Sequence, residues 1–392
     1  MPVRSWWRTI LVGTLLTLVL SACVPSIPFL SSGDDAGLEE LLANGQEALQ
    51  KGDLESAMGI YNEAVDKYPN ASHPYHQRAI VHLQTGDIEN ALRDMDRSIE
   101  RDPEDISHIF FRAGIYLNIG NLQGAQEDLT RVIEIDPSFV EAYLARASIY
   151  YAQNRMDEAL ADIGTAIQLR PDEAELYFRR ASLYLTLNNY QGAIDDLSKA
   201  VEVNPEYAEA FYVRGLVEQV EGNLDAALAD LSKAVELAPD QPQPYVARAG
   251  IYQEMERYDE ALVDLQQATN ITPQSPEPYA ARAEVYRAMG QLARALEDAN
   301  RAIDFAQDDP RYLITRAAIL AEQDNTTQAL RDLDRALEMD PGLAQALLQR
   351  GEIYEKLGEK EKAIEDYSRI LAIPASEQML DQARAALARL QG

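Results

Sequence analysis

Proline recurs in this chain at one interval. Pro69, Pro103, Pro137, Pro171, Pro205, Pro239, Pro273 and Pro341 keep a 34-residue register, with Gln307 in the one place where a proline is due. A second column, unbroken over ten copies, is alanine: Ala57, Ala91, Ala125, Ala159, Ala193, Ala227, Ala261, Ala295, Ala329 and Ala363. A third holds only glycine or alanine: Gly45, Ala79, Ala113, Ala147, Ala181, Gly215, Ala249, Ala283, Ala317 and Gly351. Four positions before it stand large residues, among them Leu41, Tyr75, Ile109, Tyr143, Tyr177 and Phe211. Such a period makes each copy one supersecondary unit that must bury its apolar face on its neighbours. Small residues in two columns let two helix backbones approach, and large residues at helical spacing fill the grooves beside them. Gly52-Asp53, Gly86-Asp87, Gly120-Asn121 and Gly222-Asn223 read as turns between the two helices, and the proline column marks where the second helix ends.

These columns resemble the tetratricopeptide repeat, a pair of antiparallel helices of 34 residues. The resemblance covers residues 38–375 and implies an all-α, α–α superhelical solenoid of about ten helix hairpins. The copies start at Leu38, Ser72, Ile106, Val140, Ala174, Ala208, Pro242, Pro276, Pro310 and Ala344. Residues 376–392 read as one further helix that caps the open end, as arrays of this kind require for solubility.

The sequence departs from the family in one column. Where leucine is usual it has Arg78, Arg112, Arg146, Arg180, Arg214, Arg248, Arg282, Arg316 and Arg350. Sixteen residues after each stands an aspartate: Asp94, Asp128, Asp162, Asp196, Asp230, Asp264, Asp298, Asp332 and Asp366. The first copy lacks both, with Asn44 and Ile60 instead. Arginine and aspartate come and go together, so a structural ion pair is expected inside each repeat.

The N-terminus reads as an address. A short basic start with Arg4 and Arg8 precedes an apolar run over residues 9–20. As a helix that run reaches about 18 Å, short of a hydrocarbon core of about 30 Å, so a signal peptide over residues 1–22 is expected. Leu20-Ser21-Ala22-Cys23 resembles the bacterial lipoprotein box and contains the only cysteine of the chain. The resemblance implies lipidation of Cys23 with palmitate-type acyl chains. It also implies a flexible linker over 23–37 and an extracytoplasmic place in the bacterial envelope, on the outer membrane where there is one, since Val24 and not aspartate follows. The other reading of this segment is an uncleaved anchor holding a cytosol-facing adaptor.

A protein or peptide partner is expected on the concave face, lined by the first helix of each copy. Phe110, Phe111, Leu144, Tyr151, Phe178, Arg179 and Tyr212 are the candidate groove, on the argument that an apolar patch not needed for packing marks a binding surface. The alternative is that these residues pack against the neighbouring repeat, and that Arg179 pairs with a nearby glutamate. The family likeness implies a non-enzymatic scaffold for protein–protein interaction, of the kind that serves envelope or pilus assembly, or a regulatory subunit of an envelope enzyme.

Other chemistry finds no support. Thirty-five basic against 65 acidic residues give a net charge of −30, which disfavours nucleic acid. One cysteine excludes an internal disulfide. No glycine-rich phosphate loop or nucleophile elbow breaks the repeat, so no catalytic residue and no cofactor is expected. The four histidines, His73, His76, His82 and His108, come without an acid at ligand spacing, and no metal site is expected from them. Nothing in the pattern sets the oligomeric state.

Overall fold

The computed structural model describes residues 36–391. The signal peptide, Cys23 and nearly all of the expected linker lie outside that range. The chain divides into two compact units at Asn204 and Pro205.

The first unit contains five helix hairpins: Ala36–Gln50 with Leu54–Lys67, His73–Gln84 with Ile88–Arg101, Ile106–Asn118 with Leu122–Ile135, Val140–Ala152 with Met156–Leu169, and Ala174–Thr186 with Tyr190–Val203. The second contains five more: Ala208–Val220 with Leu224–Leu237, Pro242–Glu254 with Tyr258–Ile271, Pro276–Ala288 with Leu292–Phe305, Pro310–Glu322 with Thr326–Met339, and Ala344–Lys356 with Lys360–Ile370. A last helix, Glu377–Gln391, follows. The described residues are all-α, and each unit is a stack of repeated hairpins. Ala36 and Gly37, expected in the linker, already belong to the first helix.

The columns explain the hairpins. Every alanine of the unbroken column is fully buried, from Ala57 to Ala363. A larger side chain there would force the two helices apart. The small column faces the residue sixteen positions on; Gly215 faces Leu231, where an added Cβ would lie 2.9 Å from Leu231 Cγ. In eight repeats the facing residue is aliphatic, as in Met95, Leu129 and Ile163. In the first and last it is Tyr61 or Tyr367, and there the small residue is Gly45 or Gly351. A Cβ on Gly45 would lie 2.5 Å from Tyr61 Cε1, and one on Gly351 would lie 2.8 Å from Tyr367 Cε1.

The ends of the helices are closed by polar groups at the same period. Asp53, Asp87, Asn121 and Asn189 cap the second helices through side-chain oxygens that accept from Ser56, Asn90, Gly124 and Gly192 backbone N–H groups. The residue just before each of these caps is in the left-handed region. It is glycine in six repeats, and Asn154, Asn188, Glu256 or Asp324 in the other four. Tyr75, Tyr143, Tyr177, Tyr245 and Tyr279 each donate a hydroxyl to the carbonyl of the column proline six residues earlier, at 3.0–3.3 Å. The first-helix aromatic thus anchors the loop that delivers its own helix.

Candidate functional site

The expected aromatic groove is taken up by packing. Phe110 is buried in a cluster with Ala142, Ala145 and Ile149 of the next hairpin, its ring edge-on to Phe139 at 5.1 Å. Phe111 is buried against Ala79 and Met95 of the preceding hairpin and lies 4.7 Å from the His76 ring. Phe178 is only 3% exposed. Leu144 and Tyr151 are half-buried. Arg179 donates from Nε to Glu175 Oε1 at 2.9 Å, an ion pair one turn apart on its own helix. Tyr212 belongs to the second unit, where it packs on a cluster of Ala227, Leu231 and Ile251. The reason is geometric. Two adjacent positions on a first helix point to opposite neighbours, so the aromatics counted as spare are the ones that join consecutive hairpins.

The arginine column makes the most regular polar contact. Each of the nine arginines forks its Nε and Nη2 onto the two oxygens of the aspartate sixteen residues on, at 2.6–2.9 Å. The nine aspartates are buried. Removing one member would leave a buried charge alone, a loss of about 3–5 kcal/mol. In most repeats the third nitrogen, Nη1, reaches sixteen residues the other way, into the preceding hairpin: Arg78 to Asn62, Arg112 to Asp96, Arg146 to Thr130, Arg248 to Ser232, Arg282 to Gln266, Arg316 to Asn300 and Arg350 to Asp334, at 2.6–3.2 Å. That second partner column escaped the sequence reading because it changes residue type from copy to copy. These groups bond to one another and belong to the scaffold.

Two places are built differently. The first is an open cleft of about 760 Å³ in the second unit, on the first helices of the last three hairpins and on the terminal helix. Ile314, Ala318 and Leu348 form an apolar floor, and Met379 and Gln382 close one side. Arg287 sits on the rim. It donates to Glu284 on its own helix at 2.7 Å and to Glu322 on the next first helix at 2.6 Å. Arg389 of the terminal helix grips Glu355 in the same way, at 2.9 Å through two nitrogens. The hydrogen bond from Arg389 holds the Glu355 carboxyl below the usual carboxylate range.

The second place is a histidine cluster in the first unit. His73 is the first residue of its helix. Asp105 is the N-cap of the next first helix, and His108 lies one turn into that helix. One ligand atom from each of His73, Asp105 and His108 falls within 4.8 Å of the other two. Asp105 divides its oxygens: Oδ1 accepts from Ser107 N and Oγ, at 2.9 and 2.5 Å, and Oδ2 faces His108 Nε2 at 3.5 Å. The His108 ring is edge-on to His73 at 5.3 Å and to His76 at 4.9 Å. His76 and His108 are buried, and His76 Nε2 and His108 Nδ1 have no hydrogen-bond partner among the described residues. Burial pushes His76 down to about 3, with the other two imidazoles adding to it, while Asp105 opposes them. Burial also lowers His108, against the pull of Asp105. Burial alone would raise Asp105, but the bonds from Ser107 and the neighbouring imidazoles outweigh it and the carboxyl lies below its usual range. At neutral pH the cluster is two neutral buried imidazoles beside a carboxylate. The acid missing from the sequence reading is thus Asp105, three residues before His108. Its signal was the Asp-x-x-His spacing at a helix start. His82 stands apart, half-buried between Asp87 at 3.5 Å and Asp94 at 3.7 Å.

No helix of the described residues is long and apolar enough to cross a membrane. Comparison with solved structures finds the same fold. The C-terminal part of a repeat protein from Cytophaga hutchinsonii matches at 13% identity and a TM-score of 0.54, covering 61% of this chain and 98% of that one. A tetratricopeptide repeat protein from Parabacteroides merdae matches at 21% identity and a TM-score of 0.49, covering 73% and 99%. Yeast Tom70 matches at 16% identity and a TM-score of 0.48, covering 92% and 97%. No curated protein matches the chain. Four family models, each described as tetratricopeptide repeat, match residues 147–218, 240–308 and 208–241, and 76–137, 112–174 and 314–378. Together they span well over half of the sequence, and the chain belongs to the tetratricopeptide-repeat family.

Proposed function

We propose that this protein is a non-catalytic scaffold that binds another protein, and that the cleft of the second unit receives it. The observation that carries this reading is the open cleft of about 760 Å³ itself. Three successive first helices and the terminal helix line it, with the half-buried Ala318 between the nearly buried Ile314 and Leu348 at its bottom, beneath a rim that carries both charges. A floor of this kind takes apolar anchors, and a mixed rim pairs with the polar flanks of a segment, which fits a peptide or an exposed stretch of a protein. Ala318→Arg with Gln345→Arg fills the cleft from two half-exposed or exposed positions. The doubly substituted chain is expected to lose a partner that the parent captures from membranes while its helical circular dichroism stays unchanged. Equal capture by both chains refutes the cleft.

The setting of this scaffold, on the same proposal, is the outer face of a bacterial membrane, held by lipid on Cys23. The support is the order of segments at the N-terminus: a basic start, an apolar run too short to span, and Leu20-Ser21-Ala22-Cys23 at its end. More than one acyl chain is needed for stable attachment, and lipoprotein-type modification supplies that. Envelope or pilus assembly is the corresponding role. Radioactive palmitate is expected to label the parent and not Cys23→Ser. Labelling of neither points to an uncleaved anchor.

A further inference from the structure

The first unit brings two imidazoles and a carboxylate together at the junction of two hairpins. We propose that His73, Asp105 and His108 form a binding site for a divalent transition-metal ion of the zinc class, with water in the fourth position. The site joins the second hairpin to the third.

The donor set fits that ion. Zinc is held by imidazole nitrogen at about 2.0–2.1 Å and carboxylate oxygen at about 2.0–2.2 Å, mostly in tetrahedral sites. Such an ion keeps its ligand atoms roughly 3.3 Å apart, by simple tetrahedral geometry on those bond lengths. The three ligand atoms here already lie within 4.8 Å of one another, so closure asks for an approach of about 1.5 Å at most. Two imidazoles and one carboxylate suit a borderline ion and are a poor set for magnesium, which prefers oxygen throughout.

The surroundings point the same way. The cap at the start of the third first helix uses only Oδ1 of Asp105, which leaves Oδ2 turned toward His108. His76 packs against the His108 ring edge to face, with centroids 4.9 Å apart, which restrains the ring plane. A buried imidazole nitrogen without a partner is costly, and His108 Nδ1 is one. Coordination through Nδ1 would give that atom the partner it lacks. His73 and Asp105 are only half-buried, so an ion has a way in from solvent. His73 comes from one hairpin, and Asp105 and His108 come from the next. A bound ion therefore acts as a clip between the two.

The test uses the full chain carrying Cys23→Ser, so that no thiol competes, without a histidine tag and in mild detergent. After chelator treatment it is titrated with Zn²⁺ in a calorimeter, with Mg²⁺ as the control ion, and its thermal transition is followed by circular dichroism. The expected result is one Zn²⁺ per chain, a rise in melting temperature with Zn²⁺ and none with Mg²⁺. Binding should be at least tenfold weaker in His73→Gln and in Asp105→Asn. Both substitutions sit at half-buried positions, and the helical signal shows that each chain is folded. Absence of Zn²⁺ binding overturns the proposal. So does binding of equal strength in the parent, His73→Gln and Asp105→Asn, since that would be diffuse attraction to the acidic surface.

Discussion

At the residue scale the clearest fit is between glycine and the tyrosine it faces in the first and last repeats. Gly45 exists because Tyr61 occupies the space that a methyl group fills elsewhere. Gly45→Ala should therefore cost about 1–3 kcal/mol, the usual range for overpacking. Adding Tyr61→Leu should recover most of that loss, because the pair then copies Ala113 with Leu129. Urea unfolding of the two single variants and the double variant measures the coupling. Tyr61 has a second signature. Burial raises its hydroxyl to about 12, and that hydroxyl has no hydrogen-bond partner among the described residues. An unfolded tyrosine ionises near pH 10, so the folded form keeps its proton longer. This stabilisation is complete below about pH 10 and disappears as pH rises through about 12. Tyr61→Phe should flatten the fall of melting temperature over that window and be near neutral at pH 7.

At the scale of the element, each hairpin turns on one left-handed residue. Glu256 is the least suited occupant, with a φ of 58° at a position where six repeats have glycine. A non-glycine side chain pays roughly 1–2 kcal/mol there, and glycine pays part of that back as unfolded-chain entropy. Glu256→Gly should raise stability by about 0.5–1 kcal/mol in thermal or denaturant unfolding. Periodicity made the hairpins legible, because a 34-residue column needs no tertiary information. It left the groove illegible. Phe110 and Phe111 are adjacent in sequence and alike in chemistry, yet one packs forward and the other backward. Whether such a residue faces solvent depends on the approach of two neighbouring hairpins, which no single copy encodes. The cleft was missed for the same reason in reverse. Its floor is made of Ile314, Ala318 and Leu348, ordinary members of the repeat, and only the terminal helix, which closes one side, turns them into the bottom of a cleft.

For the whole molecule, the acidic excess and the closing helix serve one end: a long array that does not stick to itself. Ala383 and Ala386 of that helix are buried against the cluster that includes Leu347, Tyr367 and Ile370, with Met379, Leu380, Leu387 and Leu390 packed around them. Ending the chain at residue 375 should remove on the order of 3–6 kcal/mol of apolar burial from the last hairpin. It should also expose a patch that self-associates. Sedimentation velocity is expected to show concentration-dependent oligomers in the shortened chain and none in the parent.

The guanidinium groups behave like rivets driven through two plates, and one hole has nothing beneath it. Arg180 grips Asp196 in its own hairpin, but sixteen residues before it stands Gly164, which has no side chain to offer. When the first unit is strained, by heat or by a pull along its length, the seam between its fourth and fifth hairpins is where it should come apart.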